Sequence, residues 1–131
     1  MSKRIVSSGS PLEEQIGFSR AVRIGNLIAV AGTAPIRPGG NVQCCDAFSV
    51  YEQTRLCLAI VGNAIQDAGG SLADVIRTRV MLTDISTWRE AARAHGEYFG
   101  KVKPACTFVE VKGFIDPSWK VEIEADCVIC G

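Results

Sequence analysis

The chain has 131 residues, with 14 Lys and Arg against 14 Asp and Glu, one histidine and six cysteines. That length suits a single domain spanning residues 1–131, and 47% hydrophobic against 21% charged residues excludes a disordered chain. A formal net charge of zero, with no basic run longer than Lys3-Arg4, leaves no electrostatic footprint for nucleic acid or an anionic membrane, so neither is an expected partner.

The amino terminus starts basic, but only Ile5 and Val6 follow before serine and glycine, which is not a signal peptide. Apolar runs such as Leu27 to Ala31 and Cys57 to Val61 fall far short of the roughly 20 residues a spanning helix needs, so the chain reads as soluble and cytoplasmic. Cysteines 44, 45, 57, 106, 127 and 130 are then expected as reduced thiols rather than a disulfide framework.

Ile16 to Gly32 predicts two short strands around a Gly25-Asn26 turn. In the second strand Leu27, Ala29 and Ala31 point one way and Ile28 and Val30 the other, so both faces are apolar and both need covering. Pro35 to Asn41, with Pro38-Gly39-Gly40, reads as a loop. From Asp46 a helical pattern runs through Ala47, Val50, Thr54, Cys57, Leu58, Val61, Ala64, Ile65 and Ala68, and stops at Gly69-Gly70.

Ser71 to Asp74 is a capped turn into a strand from Val75 to Thr83, with Ile76, Val80 and Leu82 on one face and Arg77 and Arg79 on the other. A second helix fits Ser86 to Phe99, ended by Gly100; Pro104 opens a strand to about Val111. The last strand, Trp119 to Val128, alternates Lys120, Glu122, Glu124 and Asp126 with Val121, Ile123, Ala125 and Cys127. The pattern is α+β, a sheet of about six strands with two helices on one face, and a second apolar face that meets another subunit.

Cys127-Val128-Ile129-Cys130 has the spacing of half a zinc site, but i and i+3 of a strand point to opposite faces, and only His95 is there to help, so no metal is expected. Cys44-Cys45 reads as free thiols beside the loop. Cys106, just after Pro104-Ala105, is placed to face a cleft, with His95 as its potential base; a packed thiol is the competing reading. Glu122, Glu124 and Asp126 share a strand face, either as an ion-pair ladder with Arg77 and Arg79 or with one carboxylate set in a cleft as general acid or base. No phosphate-binding glycine loop is present.

An ordered set of strings covers nearly the whole chain: Gly17-Phe18-Ser19-Arg20-Ala21, Ala31-Gly32-Thr33-Ala34-Pro35, Gln53-Thr54-Arg55, Ala68 to Val75, Val80 to Asp84, Tyr98-Phe99, Pro104-Ala105, Val109-Glu110-Val111 and Val121 to Ala125. In these the chain resembles the Rid (reactive intermediate deaminase) family, also called YjgF or L-PSP endoribonuclease. The resemblance implies a chorismate-mutase-like fold, a homotrimer with its sheets packed inward, and three small-metabolite clefts between neighbouring subunits. It also implies hydrolysis of 2-imino or enamine acids to 2-keto acids and ammonia without metal or cofactor, an arginine gripping the substrate carboxylate while a water attacks the imine carbon.

The resemblance carries the catalytic role to Glu122, the family's cleft carboxylate, with Cys106 and the Thr107 hydroxyl beside it. Its binding positions are Phe18, Ser19, Arg20, Ala31, Gly32, Thr33 and Ala92. Four positions depart from the pattern: Cys106 stands for the arginine, Phe18 for a tyrosine, Ala31 for a serine and Ala92 for an asparagine. Losing a bidentate carboxylate partner is worth on the order of 100-fold, which counts against standard 2-imino-acid deamination unless Arg20, Arg77 or Arg79 substitutes. The expectation is a cofactor-independent imine or enamine hydrolase; the alternatives are a non-catalytic metabolite-binding or regulatory trimer, and an endoribonuclease or translation inhibitor.

Overall fold

The computed structural model describes residues 2–37 and 48–130. Its elements run β1 (Lys3–Val6), α1 (Pro11–Ile16), β2 (Ala21–Ile24), β3 (Leu27–Thr33), α2 (Val50–Asp67), β4 (Val75–Leu82), α3 (Trp88–Phe99), β5 (Ala105–Glu110) and β6 (Val121–Val128). The six strands form one mixed sheet in the order β1-β2-β3-β6-β4-β5, antiparallel except for the β4–β5 pair.

Two elements lie outside the sequence-based expectation. β1 pairs with β2 along four residues, so Ile5 and Val6 belong to the sheet edge. Ser10 and Glu13 close a reciprocal capping box, and Pro11 begins a six-residue helix where the hairpin's first strand was expected to be approaching. Gly17 ends that helix in the left-handed conformation, so the strand starts only at Ala21.

The expected helix from Asp46 begins at Val50, because Ser49 and Glu52 form its capping box; Asp46, Ala47, Cys44, Cys45 and Pro38 to Asn41 lie outside the described residues. At its far end Gly69, at φ +91°, lets Gly70 N–H reach Ile65 O at 2.9 Å. Arg4 and Arg23 donate to the last carbonyls, Asp67 O and Ala68 O, where the helix dipole favours a cation. A 3-10 turn over Ile85–Thr87 takes the first residues expected of the second helix, which starts at Trp88.

β4 also departs from simple alternation. A register shift between Val75 and Arg77 turns Ile76 outward, 52% exposed, and leaves Val75, Thr78, Val80 and Leu82 on the buried face. α2 and α3 pack on that face, over a core that includes Ile28, Leu58, Ile65, Val80, Ile123 and Phe99. Among the described residues no helix lies on the opposite face, and Ile5, Ile24, Leu27 and Val109 stand on it between 41% and 60% exposed. Among the described residues no helix is long and apolar enough to cross a membrane.

Candidate active site

β6 alternates without a fault, burying Val121, Ile123, Ala125 and Cys127 and turning Glu122, Glu124 and Asp126 to the open face. Antiparallel pairing sets Met81 opposite Glu122, Arg79 opposite Glu124 and Arg77 opposite Asp126. Arg79 bridges Glu124 and Asp126, both at 3.4 Å, so these two make the charge ladder. Glu122 faces a methionine and makes no ion pair among the described residues. Burial pushes its carboxyl above the usual range and Glu124 adds to this, while the Arg20 charge works against it.

Gly32 brings the β3 backbone up to this carboxylate. The β3–β6 register shifts between Val30 and Thr33, and a side chain at Gly32 would place its Cβ 3.1 Å from Glu122 Oε1. Behind Gly32 lies Arg20, 4% exposed. Its Nη1 donates to Gly32 O (2.8 Å) and Thr33 Oγ1 (3.2 Å), its Nε to Ser8 Oγ (3.4 Å), and its guanidinium stacks 5.1 Å from the Phe18 ring. The Thr33 hydroxyl in turn donates a hydrogen bond to Ala31 O at 2.8 Å. Thus Phe18, Arg20, Ala31, Gly32, Thr33 and Glu122 are linked in one region at the end of β3, with Ser19 half-buried in the same loop.

The remaining residues lie at the β5 edge. Parallel pairing aligns Thr78 with Cys106 and Arg79 with Thr107. Since Thr78 is on the helix-covered face, Cys106 projects to that side and Thr107 to the face of Glu122. Cys106 is an exposed free thiol. His95 does not pair with it: His95 Nε2 shares a 2.8 Å hydrogen bond with Thr78 Oγ1, and its ring packs 4.7 Å from Phe99 and 6.3 Å from Phe108. Burial holds the imidazole below its ordinary pKa. Ala92 is half-buried one helical turn before His95 on α3.

Sequence reasoning does not anticipate the Thr78–His95 pair or the Ser8–Glu13 support behind Arg20; only the Ser10-x-x-Glu13 spacing signals the latter. Of the other cysteines described, Cys57 and Cys127 are buried and Cys130 exposed; burial pushes the Cys127 thiol up to about 12. Among the described residues no group of three or more His, Cys, Asp or Glu side chains could hold a metal ion.

The family model described as "Endoribonuclease L-PSP" matches residues 10–129. The chain belongs to the Rid/YjgF/L-PSP family. It is similar to a Mycobacterium tuberculosis member of the YjgF/YER057c/UK114 family, with 45% identity and a TM-score of 0.87 over 98% of this chain and 100% of that one. An uncharacterized Streptomyces coelicolor protein is 39% identical over 123 residues, 94% of this chain and 90% of its own length. A 3-aminoacrylate deaminase, RutC, of Acinetobacter baylyi is 31% identical over 103 residues, 79% of each chain. Three helices beside a six-stranded mixed sheet match the Rid/YjgF structures, and extend the two helices expected from sequence by the short α1.

Proposed function

We propose that the chain forms a homotrimer through its open sheet face and hydrolyses an imine or enamine C–N bond of a small metabolite in the clefts between protomers. The uncovered apolar side chains Ile5, Ile24, Leu27 and Val109 support such an assembly, since a face of this kind is satisfied by another subunit. Glu122 and Cys106 lie on opposite faces of one sheet. A cleft containing both therefore takes the Glu122–Gly32 region from one protomer and the Cys106 edge, with Ala92, from its neighbour.

The observation that carries the reading is the separation of Glu122 from the arginine ladder. Its raised proton affinity brings the carboxylate towards the range useful for a general base. Glu122 takes a proton from water as the oxygen adds to the imine carbon, and the carbinolamine forms. The same carboxyl returns that proton to the imine nitrogen to complete the carbinolamine, then carries the hydroxyl proton to the amino nitrogen as the C–N bond breaks, so that ammonia leaves and the carbonyl forms. An imine and one water thus become a carbonyl and ammonia. The RutC relative, a deaminase by name, supports the reaction class.

Cys106 makes the substrate class narrower. A thiol cannot fork onto a carboxylate, and Arg20, the first candidate to substitute, spends its Nε and Nη1 donors on Ser8, Gly32 and Thr33. The natural substrate therefore does not depend on a carboxylate anchor at this position. The same residue favours the second reading, a metabolite-binding trimer without turnover.

Hydrolysis of freshly generated 2-iminopropanoate by wild type, Glu122→Gln and Cys106→Arg, each checked for trimer by light scattering, tests both. Activity gained in Cys106→Arg and lost in Cys106→Arg/Glu122→Gln supports an intact hydrolytic cleft. No turnover by any variant, with saturable metabolite binding retained, supports the second reading.

A further inference from the structure

Arg20 has a nitrogen that the site described above does not use. Of its five N–H groups, one from Nε and two from Nη1 are engaged, while Nη2 makes no hydrogen bond among the described residues. No side-chain nitrogen or oxygen buried from solvent lacks a partner among those residues, so solvent reaches Nη2. Arg20, only 4% exposed, lines two cavities between α2 and the β1–α1 connection.

The larger cavity is about 190 Å³, below the roughly 300–1,000 Å³ of pockets for drug-sized ligands. Its chemistry is graded. Arg20 and Ser8 lie at one part, Val6, Ile36, Ile60 and Ala64 supply apolar wall, and the exposed Asn63 and Asp67, one turn apart on α2, line it toward solvent. Glu13 and Glu122 already oppose the Arg20 charge, and Asp67 adds another negative group, so a dianion is unfavourable here. A monoanion that brings its own cation fits this arrangement.

We propose that this cavity is a second binding site, distinct from the Glu122 cleft, for a small aliphatic α-amino acid as its zwitterion. The carboxylate sits on Arg20 Nη2, the side chain on Ile36 and Ile60, and the ammonium on Asp67 and Asn63. The site stands independently of the hydrolytic reading, since it shares only Arg20 and its partner Ser8 with the region behind Gly32.

The test is NMR and calorimetric titration of the full chain with L-valine, and with isovalerate, which lacks the amino group. The expected result is saturable L-valine binding with amide shifts at Val6, Ile36 and Ile60, weakened about tenfold or more in Asp67→Asn, while isovalerate binds wild type and Asp67→Asn alike. Asp67 is exposed, so this variant folds as wild type does; Arg20→Lys, which keeps the charge but loses the Nη2 donor, is expected to weaken both ligands. No saturation at millimolar L-valine, equal affinity in Asp67→Asn, or shifts centred on Gly32, Cys106 and Glu122 would each overturn the proposal.

Discussion

Glu122 Oε1 lies 3.1 Å from the point where a side chain at Gly32 would put its Cβ. Ordinary contact begins a few tenths of an ångström further out, so even alanine forces the carboxylate to yield. Gly32→Ala is expected to keep the fold, and to lower hydrolysis roughly tenfold to 100-fold by displacing the base. Comparison of kcat/KM with thermal unfolding checks this; a fall in Tm without a change in kcat/KM would contradict it.

Glu122→Gln separates stability from chemistry. A carboxyl with a raised folded-state pKa contributes stability that is complete below its unfolded value, near 4.5, and is lost as pH rises through the folded value. The glutamine variant is therefore more stable than wild type at neutral pH, and the difference vanishes in acid. Its hydrolytic rate falls by about 10²–10⁴. Paired melts across pH, with rates at neutral pH, test the two effects.

His95 runs the other way. Its folded-state pKa is depressed, so its contribution is present above the unfolded value of 6.5 and is lost as pH falls through the folded one. Wild type should lose stability relative to His95→Gln in mild acid and regain it at neutral pH. Chemical denaturation of the pair at several pH values shows it; a constant difference would mean that His95 binds its proton equally well in the folded and unfolded states.

Gly96 sits mid-α3, and nothing lies within 4 Å of the position a Cβ would take there. Gly96→Ala removes backbone entropy from the unfolded chain at no steric cost and should stabilise by about 0.5–1 kcal/mol, visible as a higher denaturation midpoint with unchanged slope.

The thiols divide by burial. Cys106 and Cys130 should be alkylated quickly, while Cys57, and Cys127 with its thiol pushed up to about 12, stay protected until unfolding. Peptide mapping after a short iodoacetamide pulse reports each site separately. Modification of Cys127 at the rate of Cys106 would contradict the assignment of its face.

Much of the fold is legible because its signals are local. The unbroken alternation of Val121 to Val128, the helical spacing of Val50 to Ala68 and the Gly25-Asn26 turn each stand in consecutive residues, and each forms the element expected. β1 and α1 escape sequence reasoning for the opposite reason. Four residues at Lys3–Val6 have no periodicity of their own and become a strand only against β2, and the Ser10–Glu13 capping box initiates a helix only six residues long.

The candidate site divides along the same line. Family strings and alternation single out Glu122, and show that Cys106 stands where the arginine was expected, before any coordinates are known. They do not say which of three carboxylates escapes Arg79, that Ile76 is thrown outward by a bulge, or that His95 bonds Thr78. Nor do they show that Arg20 is buried with one nitrogen free. Chain order specifies which residues alternate; inter-strand register and desolvation, which arise only when distant segments pack, decide which of them carry charge into a cleft.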